Sequence, residues 1–383
     1  MNQTHIRYHA LDAMRASMML LGIYLHVVLG YANIGHWAFI ESHPSRVLLP
    51  SLVFIHAFRM PAFFAMAGFF GALLWTQRGP AAFVSNRARR VLLPFVLFWI
   101  VIYALMTALG VVRVFGIRQL PHAFLSAIAS RHPRPMYLWF LEYLALLYVV
   151  CGVVAWSAEW WPTRWKDRLH NAFRWALKQP FAPALFALFL WAQLVRMNGT
   201  LNDTSGFLPE PLILLAHLPP FCFGWLLYTN RDLLDRFRRH VWIYLALAVP
   251  SFFIYGLAPS GGHPYLKAAG NVLLCWLCIF AITGLFLKYC SAASPRWRYM
   301  SDSSYWLFIM HMPVVVGLQV ALMPLPMPTL PKVPIVLALS VVLLVMSYDL
   351  LVRPTWIGAL LNGRRYPRRL PEVPPQPALE AAG

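Results

Sequence analysis

Long apolar runs separated by short, mostly basic stretches dominate this chain. Ten runs approach the ~20 residues that a helix needs to cross the hydrocarbon core of a bilayer. They are residues 13–34, 47–76, 91–111, 136–157, 180–197, 212–229, 241–257, 269–289, 304–324 and 333–353. The second contains Pro61 and Gly68 and is overlong, which predicts a tilted, kinked or protruding helix. The pattern predicts an all-α, polytopic integral membrane protein with one membrane domain over residues 1–363. The remaining 364–383, "RRYPRRLPEVPPQPALEAAG", is basic and then proline-rich and reads as a disordered tail.

Composition agrees with the pattern. Of 383 residues, 60% are hydrophobic and only 12% charged, where soluble domains carry about 25% charged residues. The formal net charge of +19 would suit nucleic acid in a soluble protein. Here the basic residues lie in short loops between apolar runs, which excludes that reading. Their bias sets an orientation instead. If the N-terminus is cytoplasmic, inside segments hold 23 of the 32 Lys and Arg and outside loops hold 7. Both termini are therefore expected in the cytoplasm, with the tail arginines near anionic headgroups. The outside loop 112–135 departs from the rule: it carries Arg113, Arg118, Arg131 and Arg134 and no acid. Its expected uses are contact with outer headgroups or with a second substrate.

The apolar run after Arg15 is longer than a signal-peptide core and no small-x-small cleavage site follows it, so it is expected to stay as the first span. Cys151, Cys222, Cys275, Cys278 and Cys290 fall in or beside apolar segments, the pattern of buried thiols rather than a disulfide framework. No metal site is expected. There is no Walker loop, dinucleotide fingerprint, HExxH or GxSxG.

Candidate chemistry lies in the charged groups that enter the apolar runs. In "LDAMRASMMLLGIYLH", residues 11–26, Arg15 and His26 are eleven apart. That is close to three helical turns, so both project from one face about 16 Å apart along the axis. Asp12 lies one turn before Arg15 and can pair with it. In "FIHAFRMPAFFAMAGFF", residues 54–70, His56 and Arg59 share a face deep in an apolar segment. A buried arginine calls for an anionic partner or a wet cavity, and Glu142 and Asp349 are the two candidates for its counter-charge. His311 and Arg353 are further buried polar residues. "SNRARRVLLP" places Arg87, Arg89 and Arg90 ahead of the third run. Ordinary inside charge explains them, and so does a phosphate clamp, since guanidinium groups grip phosphate oxygens in a bidentate fork.

Together these residues resemble the acyltransferase 3 family. The carriers are Arg-x10-His in the first run, "RARR" before the third, "FRMPAFFAMAGFF" in the second, "MYLWFL" in the fourth and "SSYWLFIMHMP" in the ninth. Within the family, "MLLGIYLH", "FIHAFRM", "LPPFCFG" and "YDLLVRPTWIGALLNGR" are most similar to members that succinylate osmoregulated periplasmic glucans. The resemblance spans roughly residues 8–365. It implies ten helices in the bacterial inner membrane and an O-acyl transfer, succinyl or acetyl, from cytoplasmic acyl-CoA to hydroxyls of an extracytoplasmic glycan. Acyl-CoA would be a co-substrate, with no permanently bound cofactor. Partners would be the lipid bilayer and the glucan-synthesis machinery, with no nucleic acid.

On that reading His26 is the general base or the acyl carrier, with Arg15 and Asp12 on its face. Arg59 or His56 steadies the oxyanion. Arg87 and Arg90 hold the CoA phosphates, with Arg89 assisting. Trp139, Glu142 and His311 are placed at the substrate, and Tyr137 and Trp139 offer faces on which sugar rings stack. Two other readings stay open from the residues alone. One is a transporter or flippase of lipid-linked sugars, which uses buried His and Arg equally well; the other is a scaffold for polymer export.

Overall fold

A computed structural model of the chain describes residues 8–366, apart from 33, 35–37, 131, 203, 205, 258–263 and 364. Arg131 and the tail from residue 367 onward therefore lie outside the described residues. Thirteen α-helices and no strand occur among the described residues. They are α1 (His9–Ala32), α2 (Leu49–Arg87), α3 (Leu93–Phe115), α4 (Leu120–Ser130), α5 (Trp139–Ser157), α6 (Thr163–Lys178), α7 (Ala182–Arg196), α8 (Pro211–Thr229), α9 (Asp235–Leu257), α10 (Pro264–Tyr289), α11 (Pro295–Leu322), α12 (Thr329–Ser347) and α13 (Trp356–Asn362).

Each of the ten apolar runs falls on a helix. Among the described residues eight stretches are long and apolar enough to cross a membrane, one of them the 70 residues Arg46–Phe115 that contain both α2 and α3. Helix α7, at 15 residues, spans only about 22 Å, short of the ~30 Å apolar core.

Two segments expected as loops are helical. Residues 77–90 continue α2. Gly79, at φ 77° and ψ 174°, breaks the helix and Pro80 restarts it, since proline suits a first helical turn. A π-turn at Ala88–Leu92 then leads into α3. Residues 112–135 hold the end of α3 and all of α4; Gly116 at φ 80° turns the chain between them. The sequence reading also passed over α6 and α13, which are too short or too polar to register as spans.

Helix α1 forms the centre. It packs against α2, α10, α11 and α12, and nearly its whole length is buried. Helices α3, α9 and α12 lie at the rim and expose Ile, Leu and Val on their outer faces, as lipid contact requires. The crossing of α2 and α8 is reciprocal. A Cβ on Gly224 would stand 1.8 Å from the Ala65 carbonyl oxygen, and one on Gly68 would stand 2.0 Å from that of Phe221. Membrane helices lack a hydrophobic drive to associate and gain instead from such close backbone contact. That contact draws α8 in behind α2 and turns the opposite face of α2, with Arg59, Met60 and Phe63, toward an internal cavity.

Candidate active site

The cavity holds about 1100 Å³ and runs along the bundle axis between α1, α2, α3, α5 and α11. At the end where α1 begins, its wall includes Arg15, Arg87, Arg90 and Asn86. His26, Arg59, Tyr137 and His311 stand in the middle. Ala38, His132, Arg134 and Thr204 line the opposite end. One space thus joins the two ends of the molecule through a belt of polar side chains.

The Arg15–His26 face predicted by helical periodicity is present, and both residues line the cavity. Asp12 works from behind: its carboxylate pairs with Arg15 at 3.3 Å and accepts from the Ser301 hydroxyl at 3.3 Å. Arg15 also donates to Ser301 Oγ, so a three-residue cluster fixes the guanidinium. His26 is 9% exposed, and its ring lies 4.8 Å from that of His311, centre to centre. These two histidines come from runs 285 residues apart in sequence, a proximity that no local pattern reveals.

Arg59 is buried at 8% exposure and packs against α1 at Gly22, where a Cβ would sit 2.2 Å from its Nη1. The glycine makes the slot for the guanidinium. Neither expected counter-charge serves it. Asp349 is held by Arg353 at 3.1 Å and by the Tyr299 hydroxyl at 2.9 Å. Glu142 is half-buried on α5, its Oε2 has no hydrogen-bond partner among the described residues, and it is not part of the cavity wall. His56 lies three residues before Arg59 but is likewise absent from that wall.

At the α1-start end, the "RARR" arginines part by their spacing, since residues three apart share a helix face. Arg87 and Arg90 reach the cavity, whereas Arg89 is exposed and points elsewhere. Arg87 donates to the Tyr148 hydroxyl at 3.1 Å and lies 4.6 Å over that ring. Arg90 donates to the Leu361 carbonyl at 2.8 Å, tying α13 to the cavity mouth. π-turns like that at Ala88–Leu92 occur often at functional sites.

Trp139 lines the cavity, stacks on His217 at 5.7 Å and 25°, and is 6% exposed. Tyr137 donates to the Ile309 carbonyl and meets His311 edge-on at 5.0 Å. In the basic stretch 112–135, Arg113 donates to the Ala38 carbonyl, and the Arg134 carbonyl accepts from Trp99 Nε1 at 2.8 Å. Arg113 thus serves a contact within the fold, and Arg134 alone of the three described arginines lines the cavity.

The sequence was also compared with known families and proteins. The model described as an acyltransferase domain matches residues 8–349. The chain belongs to the acyltransferase-3 family. It is a membrane acyltransferase. Relatives include "Glucans biosynthesis protein C" of Salmonella gallinarum (strain 287/91 / NCTC 13346), 25% identical over 335 residues, covering 80% of this chain and 82% of the relative. The same-named protein of Salmonella enteritidis PT4 (strain P125109) is 24% identical over the same share. These names agree with the likeness read from the sequence. No solved structure matches the chain.

For an acyltransferase, three site residues escaped the sequence reading: Ser301, Tyr305 and Tyr148. The first two belong to "SDSSYW", residues 301–306, where Ser301, Ser303 and Ser304 are all buried. A polar run placed nearly two turns inside a helix start, opposite a charged helix face, was the available signal. Tyr148 carried none, because an aromatic residue in an apolar run is ordinary.

Cys275 and Cys278 are buried among apolar neighbours. No group of three or more His, Cys, Asp or Glu side chains among the described residues is arranged to hold a metal ion.

Proposed function

We propose that this acyltransferase moves an acyl group, succinyl by the likeness to its relatives, from cytoplasmic acyl-CoA to a hydroxyl of a periplasmic glucan. The protein would sit in the bacterial inner membrane with ten spans and both termini in the cytoplasm, consistent with the distribution of Lys and Arg. The α1-start end of the cavity then faces the cytoplasm. The observation that carries the reading is the single cavity that joins Arg87 and Arg90 to the opposite end of the molecule by way of His26 and Arg59. A donor with several phosphates and an acceptor that never enters the cytoplasm need such a joint space.

In this mechanism Arg87 and Arg90 hold the phosphates of the donor and orient its thioester chain up the cavity. His26 accepts the proton of the attacking hydroxyl, or takes the acyl group first and passes it on. Arg59, fixed against Gly22, faces the carbonyl oxygen as negative charge develops there. Trp139 and Tyr137 would support the acceptor ring.

The test is purified protein given succinyl-CoA with and without a short β-glucan. Glucan-dependent release of CoA thiol supports the reading, and its absence overturns it. In the same assay Arg87→Ala is expected to raise the KM for succinyl-CoA about tenfold or more, since a charge-assisted contact is worth roughly 1.5–3 kcal/mol. The double change with Arg90 should go further, with kcat much less affected. An unaltered donor KM in the double variant would leave these arginines as topological charges alone.

A further inference from the structure

His311 has a role beyond lining the cavity. Its Nδ1 lies 2.6 Å from the Phe308 carbonyl oxygen. A carbonyl only accepts, so this nitrogen carries the hydrogen, and Nε2 is left with a lone pair. Nε2 is buried and has no hydrogen-bond partner among the described residues. Leaving a buried acceptor unused costs about 1–3 kcal/mol, so a lone pair kept that way at a reaction centre calls for a use. Tyr137 holds the ring from its edge at 5.0 Å, and its own hydroxyl is committed to Ile309. The ring therefore cannot turn to satisfy Nε2 without losing two contacts. His26 is the neighbouring ring, its centre 4.8 Å away and its plane inclined by 38°.

We propose that His311 is the proton-accepting partner of His26, the two imidazoles forming a relay. This inference rests on the acyl-transfer reading. The acceptor hydroxyl oxygen bonds to the thioester carbonyl carbon, and its proton passes to the cavity-facing nitrogen of His26. The other N–H of His26 gives its proton to Nε2 of His311. When the carbon–sulfur bond breaks, the proton returns through the pair to the departing thiolate, which leaves as CoA thiol. Both histidines end in their starting forms. The charged and titratable groups facing the pair are Arg59 and His56 on α2 and Tyr137 before α5. Arg59 is permanently positive and acts on both rings, so a proton shared between them is held only briefly before it goes to the departing thiolate. His311 acts through His26 and is a positioning and relay residue.

The experiment uses the full chain with succinyl-CoA and a short β-glucan. Wild-type turnover must be seen first; if it is not, the acyl-transfer reading fails and not this one alone. His311→Gln keeps a donor of similar reach but no titratable lone pair, and its kcat should fall about 100-fold with donor KM little changed. His311→Ala leaves an imidazole-sized hole beside His26. Added imidazole should restore turnover there, whereas pyrazole, of the same shape but a far weaker base, should not. Equal rescue by both azoles, rescue by neither, or a His311→Gln variant with wild-type kcat overturns the relay. If the variants fail to insert, the rate of the wild-type enzyme in mixed light and heavy water decides. A curved dependence on deuterium fraction, from two protons in flight, supports the relay, and a linear one overturns it.

Discussion

His26→Ala is expected to abolish acyl transfer while the protein still inserts and still binds acyl-CoA. The residue lies about three helical turns from Arg15 on one face of α1, in the middle of the cavity of about 1100 Å³. The imidazole borders the cavity on one side and packs on His311 on the other. Its removal leaves the arginine end of the cavity untouched, since Arg15 is fixed by Asp12 and Ser301 and Arg87 by Tyr148. Loss of a general base typically costs 10²–10⁴-fold. Loss of an acyl carrier removes the chemistry altogether. The two roles separate in one experiment: incubation with succinyl-CoA alone, followed by intact mass. A succinyl adduct on the wild type that is missing from His26→Ala identifies a carrier, and no adduct on either with a residual slow rate identifies a base. Wild-type turnover by His26→Ala would remove this residue from the mechanism.

Local signals made the helices and the α1 face legible. A run of about 20 apolar residues is recognisable without its neighbours, and each of the ten segments falls on a helix. Arg15 and His26 share a face by periodicity alone. What stayed hidden depends on how helices cross. His311 reaches His26 because α11 packs along α1. Arg59 was expected to need Glu142 or Asp349, yet its guanidinium lies in a slot opened by Gly22, a residue with no side chain to attract notice. The π-turn at Ala88–Leu92 is one extra residue in a helical turn, which no hydropathy pattern registers. The four arginines of 112–135 looked like one feature, but the contact between Arg113 and Ala38 gives one of them a task in the fold.

That contact belongs to a strap, residues 38–45, at the end of the cavity away from the α1 start, and the strap carries the second large expected effect. Glu41 donates its backbone N–H to the Gly30 carbonyl at 3.0 Å, and Ser45 donates to that of Tyr31 at 2.9 Å. The strap is fastened from the other side by Lys332 near the start of α12, whose Nζ lies 2.9 Å from Glu41 Oε2. Both side chains are about 95% buried, at 4% and 5% exposure. Removing one partner of such a pair strands a charge away from water, at a cost of about 3–5 kcal/mol. Lys332→Met should therefore lower thermal stability in detergent sharply. Glu41→Gln with Lys332→Met should recover most of it, because a pair replaced by neutral groups is often no worse than the ions. The pH dependence gives an independent sign. Burial pushes the Glu41 carboxyl up, but the hydrogen bonds from Lys332 and Ser42 outweigh it and hold the group below its ordinary value. The folded value is then lower than the unfolded one, near 4.3, so the stabilisation is complete above that pH and lost as pH falls through the folded value. In Lys332→Met, burial loses its main opponent and the direction should reverse, the variant gaining stability on acidification relative to neutral pH. Parallel pH–stability curves for wild type and Lys332→Met would show that this pair does not hold the strap, which would then rest on the Arg113–Ala38 contact and the backbone bonds to α1.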